Sequence, residues 1–358
     1  MKKMLTVVLA AAMTASLVAC GGQKTEEKAE TTAATDAVAE TEAAGADQTE
    51  AATEAAAPAE GGLKVALLMS GAANDGGWNQ TAYEGTLKAC EKYGYELTYS
   101  ENVQVADIAA VFTDYAQNGY DVVIGHGYEF GDPALEAAEL YPDCKFICTE
   151  SDAAAENVAS YVMACEHTAY VEGVIAAKMT QSNIVGAIGP LPGDSLVKIL
   201  NGFEDGAKSV NPDITFKGAW TNSFVDTQLA QEAAQAMIDD GADVIKHCAN
   251  ACGNGAMAAA VEANIWCQGD SYDQSFLAPE NILDSALYNR DVVLDIALGS
   301  IADGSFKGEI YNLGMADNAV AVLFSDNLPE DIKAEAQAVV DQIISGELEV
   351  VRDYTMRQ

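Results

Sequence analysis

The sequence has few basic residues. Eighteen Lys and Arg stand against 55 Asp and Glu, which gives a formal net charge of -37. About -31 of this charge lies after residue 60, where the composition becomes mixed and foldable. Proteins that bind nucleic acid or anionic lipid need clustered Lys and Arg opposite the phosphates. The composition therefore argues against both partners and predicts that ligands are uncharged.

Motifs of common enzyme classes are also missing. The sequence contains no glycine-rich dinucleotide loop, no P-loop, no G-x-S-x-G elbow and no H-E-x-x-H zinc motif. His126 and His247 each end a predicted strand, where a hydrogen-bonded structural histidine is the simpler interpretation. We therefore predict a protein that is not an enzyme, with no catalytic residue, no metal and no cofactor.

A long apolar run occurs only at the N-terminus. Lys2 and Lys3 precede an apolar stretch from Met4 to Leu17, which is too short to span a membrane, and Cys20 follows small residues. This pattern resembles the bacterial lipobox, in which the cysteine receives lipid and becomes the new N-terminus. We predict a lipoprotein signal peptide over 1–20, with Cys20 as the lipid anchor on the extracytoplasmic face of the cell membrane. A cleaved leader with an accidental cysteine is the alternative.

The next segment, 21–61, consists mainly of Ala, Thr and Glu and has no aromatic residue. Such a composition cannot bury a core and predicts a disordered acidic tether. The folded part is expected to start near Leu63. It contains seven cysteines without the spacing of a disulfide framework, so we predict mostly free, buried thiols.

From Leu63 onward, short β-rich runs alternate with helical patterns. Examples are a predicted strand over Lys64–Met69 and predicted helices over Thr81–Tyr93 and Leu229–Asp239. The segment 118–124 is echoed at 240–245, which indicates duplication. About 300 residues also exceed one comfortable core. We predict an α/β fold of two doubly wound parallel-sheet lobes with a ligand cleft between them, at the carboxyl ends of the strands.

Aromatic, amide and carboxylate residues follow the predicted strands, and their loops contain no Lys or Arg. Rings can stack on a planar heterocycle while carboxylates and amides bind its polar groups. Bland alternatives are a core role for Trp78 and turn-capping roles for Asp270 and Asp273. The candidate ligand-binding residues are Asn74, Asp75, Trp78, Asn79, Tyr128, Asn222, Phe224, Asp270, Tyr272 and Asp273.

At these residues the chain resembles the basic membrane protein family of substrate-binding lipoproteins of ABC transporters, which includes purine nucleoside receptors. The resemblance rests on DGGWNQ at 75–80, AKSVNPD at 207–213, WTNSFVD at 220–226, DGADVI at 240–245 and GDSYDQ at 269–274. It implies the type I periplasmic-binding-protein fold, with three crossings between the lobes. The lobes would comprise 62–164 plus about 284–313, and 165–283 plus about 314–358.

The resemblance also implies roles for individual residues. Trp78 and Phe224 would sandwich a purine, Asn79 would contact the base, and Asp270, or Asp273 if the loop aligns differently, would meet ribose hydroxyls. The segment 285–289 lacks the lysine that nucleoside receptors often have there, so a free nucleobase is the alternative to a nucleoside.

The implied partners are an ABC permease and its ATPase, to which a monomeric receptor delivers its ligand. An exported ligand sensor that feeds a signalling receptor is the competing hypothesis.

Overall fold

The computed structural model describes residues 62–75 and 77–357. The predicted signal peptide, the anchor Cys20 and the predicted tether over 21–61 lie outside the described residues. Within the described ranges, no helix is long and apolar enough to cross a membrane.

The described chain forms two six-stranded sheets. The first sheet has the order β2-β1-β3-β4-β5-β11, and its paired neighbours are all parallel. Its strands are β1 (Lys64–Met69), β2 (Glu96–Ser100), β3 (Val122–His126), β4 (Lys145–Thr149), β5 (Val158–Met163) and β11 (Ile310–Leu313). Helices α1 (Trp78–Tyr93), α2 (Ile108–Gln117), α3 (Gly131–Leu140) and α8 (Arg290–Ala302) complete this first lobe.

The second sheet has the order β7-β6-β8-β9-β10-β12 and forms the second lobe. Its strands are β6 (Ile184–Gly189), β7 (Thr215–Trp220), β8 (Val244–His247), β9 (Trp266–Gly269), β10 (Ile282–Tyr288) and β12 (Val320–Phe324). The accompanying helices are α4 (Cys165–Met179), α5 (Asp194–Val210), α6 (Thr227–Asp239), α7 (Asn254–Ala263) and α9 (Glu330–Ser345).

The predicted α/β architecture of two parallel-sheet lobes is confirmed, with two differences in detail. In the second sheet β12 runs antiparallel to β10, which the alternation of strands and helices does not reveal. The chain was expected to return to the first lobe at about 284, but β10 pairs with β9 and β12 through Tyr288. The return therefore follows Tyr288, directly before α8.

Helices begin earlier than their hydrophobic patterns predict. The helix predicted from Thr81 starts at Trp78, and the one predicted from Leu229 starts at Thr227. First turns carry capping and polar residues rather than the apolar stripe that marks the helix body. The seven cysteines are free and buried, as predicted.

In each sheet the first strand of the lobe lies between its second and third strands, so the strand order reverses there. Ligands of open parallel sheets bind outside the carboxyl ends of the strands at this reversal. The reversal points are β1/β3 in the first lobe and β6/β8 in the second. The candidate site is therefore expected at the carboxyl ends of these strands.

Candidate functional site

The loop after β1 is organised by Asp75. Its carboxylate accepts backbone N–H groups of Gly77, Asn79 and Gln80 at 2.8 to 3.1 Å, and also the side-chain amide of Asn79 at 2.9 Å. Burial raises the pKa of Asp75, but these hydrogen bonds outweigh it and leave the pKa below its usual value. Asp75 therefore fixes the start of α1, and with it the position of Trp78. Asn79 is buried and its Oδ1 has no hydrogen-bond partner.

Trp78 is half-buried at the first position of α1. Its indole stacks on the imidazole of His126, with ring centroids 4.4 Å apart, and the guanidinium carbon of Arg290 lies 4.1 Å from the ring centroid. His126 Nε2 donates to the Trp78 carbonyl at 3.1 Å, and Nδ1 accepts from the Thr149 hydroxyl at 2.9 Å. The indole is therefore held from the end of β3 and from the start of α8.

His126 is a structural residue. It is fully buried, and burial together with the nearby charge of Arg290 lowers its pKa to about 3. The imidazole is therefore neutral near pH 7, which agrees with its two hydrogen bonds. His247 at the end of β8 is similar, because Nε2 donates to Gln274 at 2.9 Å and burial lowers its pKa.

In the second lobe, Phe224 lies in the loop after β7 and is 44% exposed. Its carbonyl accepts the N–H of Cys252 at 3.0 Å, which ties this loop to the segment after β8. Asn222 adopts a left-handed conformation with φ 57°, which Asn tolerates better than most residues. Asp226 accepts the N–H of Gln228 and caps α6.

The loops of the two lobes meet at Gly77 and Asn250. A Cβ added to Gly77 would lie 2.8 Å from Oδ1 of Asn250, so the first-lobe loop approaches the segment after β8 closely. Gly77 directly precedes Trp78, and Cys252 two residues beyond Asn250 binds the Phe224 loop. The loops of Trp78 and Phe224 are thus both close to the segment after β8, although the two rings make no contact in the described part of the chain.

Asp270 follows β9 and is 4% exposed. Its Oδ1 accepts the Tyr288 hydroxyl at 2.9 Å, its Oδ2 accepts the Ser271 hydroxyl at 2.7 Å, and its N–H donates to Gln274 at 2.8 Å. Burial and the nearby charge of Asp270 raise the pKa of Tyr288 well above its usual value, so the phenol remains a donor. Asp270 is therefore a fixed, buried acceptor.

The other candidates lie on the rim. Tyr128 is 74% exposed after β3, and Asn74 is exposed ahead of α1. Tyr272 and Asp273 are exposed after β9, and Asp273 accepts the N–H of Ser275 at 2.9 Å, as in a simple turn. Between the two alternatives for a ribose-binding carboxylate, Asp270 is the buried one.

Sequence reasoning missed Arg290. The loops that follow the strands carry no Lys or Arg, but Arg290 reaches Trp78 from the start of α8, and it is 5% exposed. The prediction that ligands are uncharged considered the net charge and these loops, and it left out the cation that α8 brings to Trp78. The available signal was an arginine directly after a strand, in a chain with only three arginines.

This sequence is similar to known proteins over most of its length. The family described as ABC transporter substrate-binding protein PnrA-like matches residues 63–353. A putative glucose-binding protein of an ABC transporter from Haloferax volcanii is 30% identical over 302 residues, covering 83% of this chain and 76% of that protein. A purine-binding protein of Brucella abortus is 31% identical over 296 residues, covering 82% and 84%.

A nucleoside-binding protein of an ABC transporter, BmpA from Lactococcus lactis, is 30% identical over 315 residues, covering 80% of this chain and 89% of that protein. Among solved structures, a transcriptional activator of the comK gene from Bacillus halodurans has a TM-score of 0.72 at 21% identity, covering 80% and 99%. An ABC transporter solute-binding protein from Conexibacter woesei has a TM-score of 0.67 at 24% identity, covering 81% and 99%. These two structures support the fold alone.

The matched family consists of solute-binding proteins rather than enzymes. The chain belongs to the Bmp family of PnrA-like substrate-binding proteins of ABC transporters.

Proposed function

We propose that this protein captures a purine nucleoside or nucleobase between its lobes and delivers it to an ABC permease that is powered by a separate ATPase. The proposal rests on the loops of Trp78 and Phe224, which come from different lobes and both lie close to the segment after β8. One loop precedes α1 at the first strand reversal and the other follows β7 beside the second. Two relatives whose names specify purine or nucleoside binding support the same ligand class.

In this proposal the base stacks between the indole of Trp78 and the phenyl ring of Phe224. Each base–aromatic stack is worth roughly 1 to 3 kcal/mol. Asn79, whose Oδ1 is buried without a partner, contacts the base, and Asp270 accepts ribose hydroxyls. Ligand bound to both lobes favours the closed arrangement, which the permease would recognise. The other proposed contributors on the rim are Asn74, Asp75, Tyr128, Asn222, Tyr272 and Asp273.

The protein is proposed to act outside the cytoplasmic membrane, held by lipid on Cys20 and the segment 21–61. The two lobes would then comprise 62–164 with the α8 and β11 region, and 165–288 with the C-terminal region. A monomer suffices, because one chain contains both walls of the cleft.

Calorimetry on the lobes with a ligand panel tests the proposal. Inosine, guanosine, adenosine and their bases should bind, whereas uridine and glucose should not. Inosine should also bind more tightly than inosine monophosphate, because the folded body is strongly acidic. Glucose binding without purine binding would overturn the proposal in favour of the specificity named for the Haloferax relative.

A further inference from the structure

Arg290 is a buried cation at the candidate site. It opens α8, directly after the chain leaves the second sheet, and its side chain is almost inaccessible. Its guanidinium carbon lies 4.1 Å from the centroid of the Trp78 ring and 5.9 Å from that of Tyr288. It therefore contacts aromatic residues from both lobes.

The guanidinium is not fully hydrogen-bonded. Nη1 donates to the Thr81 hydroxyl at 3.2 Å, whereas Nε is buried without a partner. In the described part of the chain, Nη2 makes no hydrogen bond and no carboxylate lies within 4.0 Å of Arg290. Burying an unpaired charge is costly unless a partner satisfies it.

The two carboxylates whose charges act on Arg290, Glu150 and Asp270, already have other partners. Glu150 accepts the N–H of Met163 at 2.9 Å and lies 3.9 Å from the ammonium of Lys198. Asp270 accepts two hydroxyl groups. Burial lowers the pKa of Arg290, as expected for a cation without a close counter-charge, but an arginine remains protonated near neutral pH. The site therefore contains a charged, under-satisfied donor beside the proposed stacking residue.

The two nitrogens without partners form one edge of the guanidinium. Nε–H and Nη2–H point the same way in a planar fork, which matches two neighbouring acceptors in one plane. A purine with an oxo group at C6 presents O6 and N7 in this arrangement, and arginine is their commonest partner in guanine recognition. A purine with an amino group at C6 offers N7 beside a donor, which the guanidinium cannot accept.

We propose that Arg290 makes the site selective for 6-oxopurines, with Nε and Nη2 donating to O6 and N7 of a base stacked on Trp78. This inference rests on the proposed purine function and specifies its ligand class. Arg290 is thus a specificity-determining residue, and Thr81 holds the guanidinium from the side that the ligand does not use.

The test compares inosine with adenosine by calorimetry, in the parent protein and in Arg290→Gln and Arg290→Lys. The parent should bind inosine roughly five-fold to more than a hundred-fold more tightly than adenosine, the range for one bidentate base contact. Both variants should bring the ratio close to one, since Lys keeps the charge but lacks the fork. Arg357→Gln, whose guanidinium pairs with Asp205 and Asp353, is the matched control and should keep the parent's ratio.

A second measurement needs no variant. The parent should bind 7-deazainosine, which lacks the N7 acceptor, several-fold more weakly than inosine. Equal affinity of the parent for inosine and adenosine, or an unchanged ratio in folded Arg290 variants, would overturn the selectivity and leave purine binding in place. Failure of every purine to bind would instead overturn the proposed function itself.

Discussion

The two lobes share a strand order at their reversal points but bury different chemistry. In the first lobe, β1 from Val65 to Met69 is apolar and fully buried. The buried polar residues of this sheet are His126 and Thr149 at strand ends and the uncharged Ser160 within β5. In the second lobe, the middle of the sheet buries Lys246, Gln268 and Asp284. One lobe therefore has a largely apolar sheet interior, and the other has a charged one.

The charged interior is organised around Glu172 of α4. Lys246 Nζ lies 2.5 Å from Glu172 Oε2 and Gln268 donates to Asp284 at 2.8 Å, whereas Glu172 Oε1 and Asp284 Oδ1 are buried without a hydrogen-bond partner. Burial raises the pKa of both carboxyl groups, that of Asp284 to about 6. With one of the two carboxyls protonated and Lys246 charged, the cluster would carry no net charge. The comparison teaches that the two lobes share a topology but differ in the charge that they bury, and that the charged cluster of the second lobe lies close enough to Asp270 for their charges to interact.

The largest expected effect comes from breaking the buried pair. Lys246→Met leaves a carboxylate charge uncompensated in the second lobe, and such changes cost about 3 to 5 kcal/mol. Urea unfolding at pH 7 measures the loss. The matched control is Lys88→Met, which removes the exposed first-lobe pair with Asp291 and should leave the midpoint unchanged within error. Equal losses in both variants would contradict the comparison.

This contrast also shows what sequence alone could predict. The alternation of strands and helices predicted β1 with its observed bounds, and α1 and α6 with their observed C-terminal ends, because their apolar patterns are strong. The Lys246 cluster was not predicted, because its members come from α4, β8, β9 and β10 and meet only after the sheet forms. Arg290 was missed for the same reason, since Trp78 lies over 200 residues away in sequence. The residues after strand ends could be named as candidates because the carboxyl ends of parallel strands meet at one edge of each sheet.

The next effect is on the pH dependence of stability. Asp284 has a raised pKa in the folded state, so between about pH 4 and 6 the native protein holds a proton that the unfolded chain releases. Its contribution to stability is therefore present below pH 4 and lost as pH rises towards 6, by about 3 kcal/mol. His126 acts in the opposite sense, because its pKa of about 3 makes stability fall as pH drops below 6.5.

The Asp284→Asn variant separates the contribution of Asp284 to the pH dependence of stability from that of His126. Between pH 4 and 7, the free energy of unfolding of the parent should lose this contribution as the pH rises, whereas that of the variant should not. The exposed Asp303→Asn variant serves as control and should follow the parent curve. If the free energies of unfolding of the parent and of Asp284→Asn change with pH in parallel, the pKa of Asp284 is not raised in the folded protein.

A smaller effect is expected from the buried carboxylate of Asp270. Asp270→Ala removes a buried charged acceptor, and hydrogen bonds to charged groups contribute about 1.5 to 3 kcal/mol. The affinity for inosine should fall about ten-fold or more, while that for hypoxanthine should fall less, as measured by calorimetry. Equal losses for nucleoside and base would argue against a ribose contact. Asp273→Ala, at the exposed neighbouring carboxylate, should leave both affinities nearly unchanged.

The smallest effect on either lobe is expected from Cys20→Ser, because this residue belongs to neither of the two sheets nor to their helices as described from residue 62 onward. Stability and ligand affinity should stay the same, whereas the protein should leave the membrane fraction and become soluble. Fractionation followed by a salt wash measures this change. Retention of the variant on washed membranes would contradict lipid anchoring at Cys20.

Calorimetric titration of Trp78→Ala and Phe224→Ala with a purine nucleoside tests the central claim most directly. The account predicts that each variant folds normally and loses roughly 1 to 3 kcal/mol of binding, about five-fold to over a hundred-fold in Kd. Trp266→Ala removes a ring at the amino end of β9, whereas the candidate loops follow the carboxyl ends of the strands, and this variant should bind like the parent. If both Trp78→Ala and Phe224→Ala bind purines as tightly as the parent, the two lobes do not clamp a base.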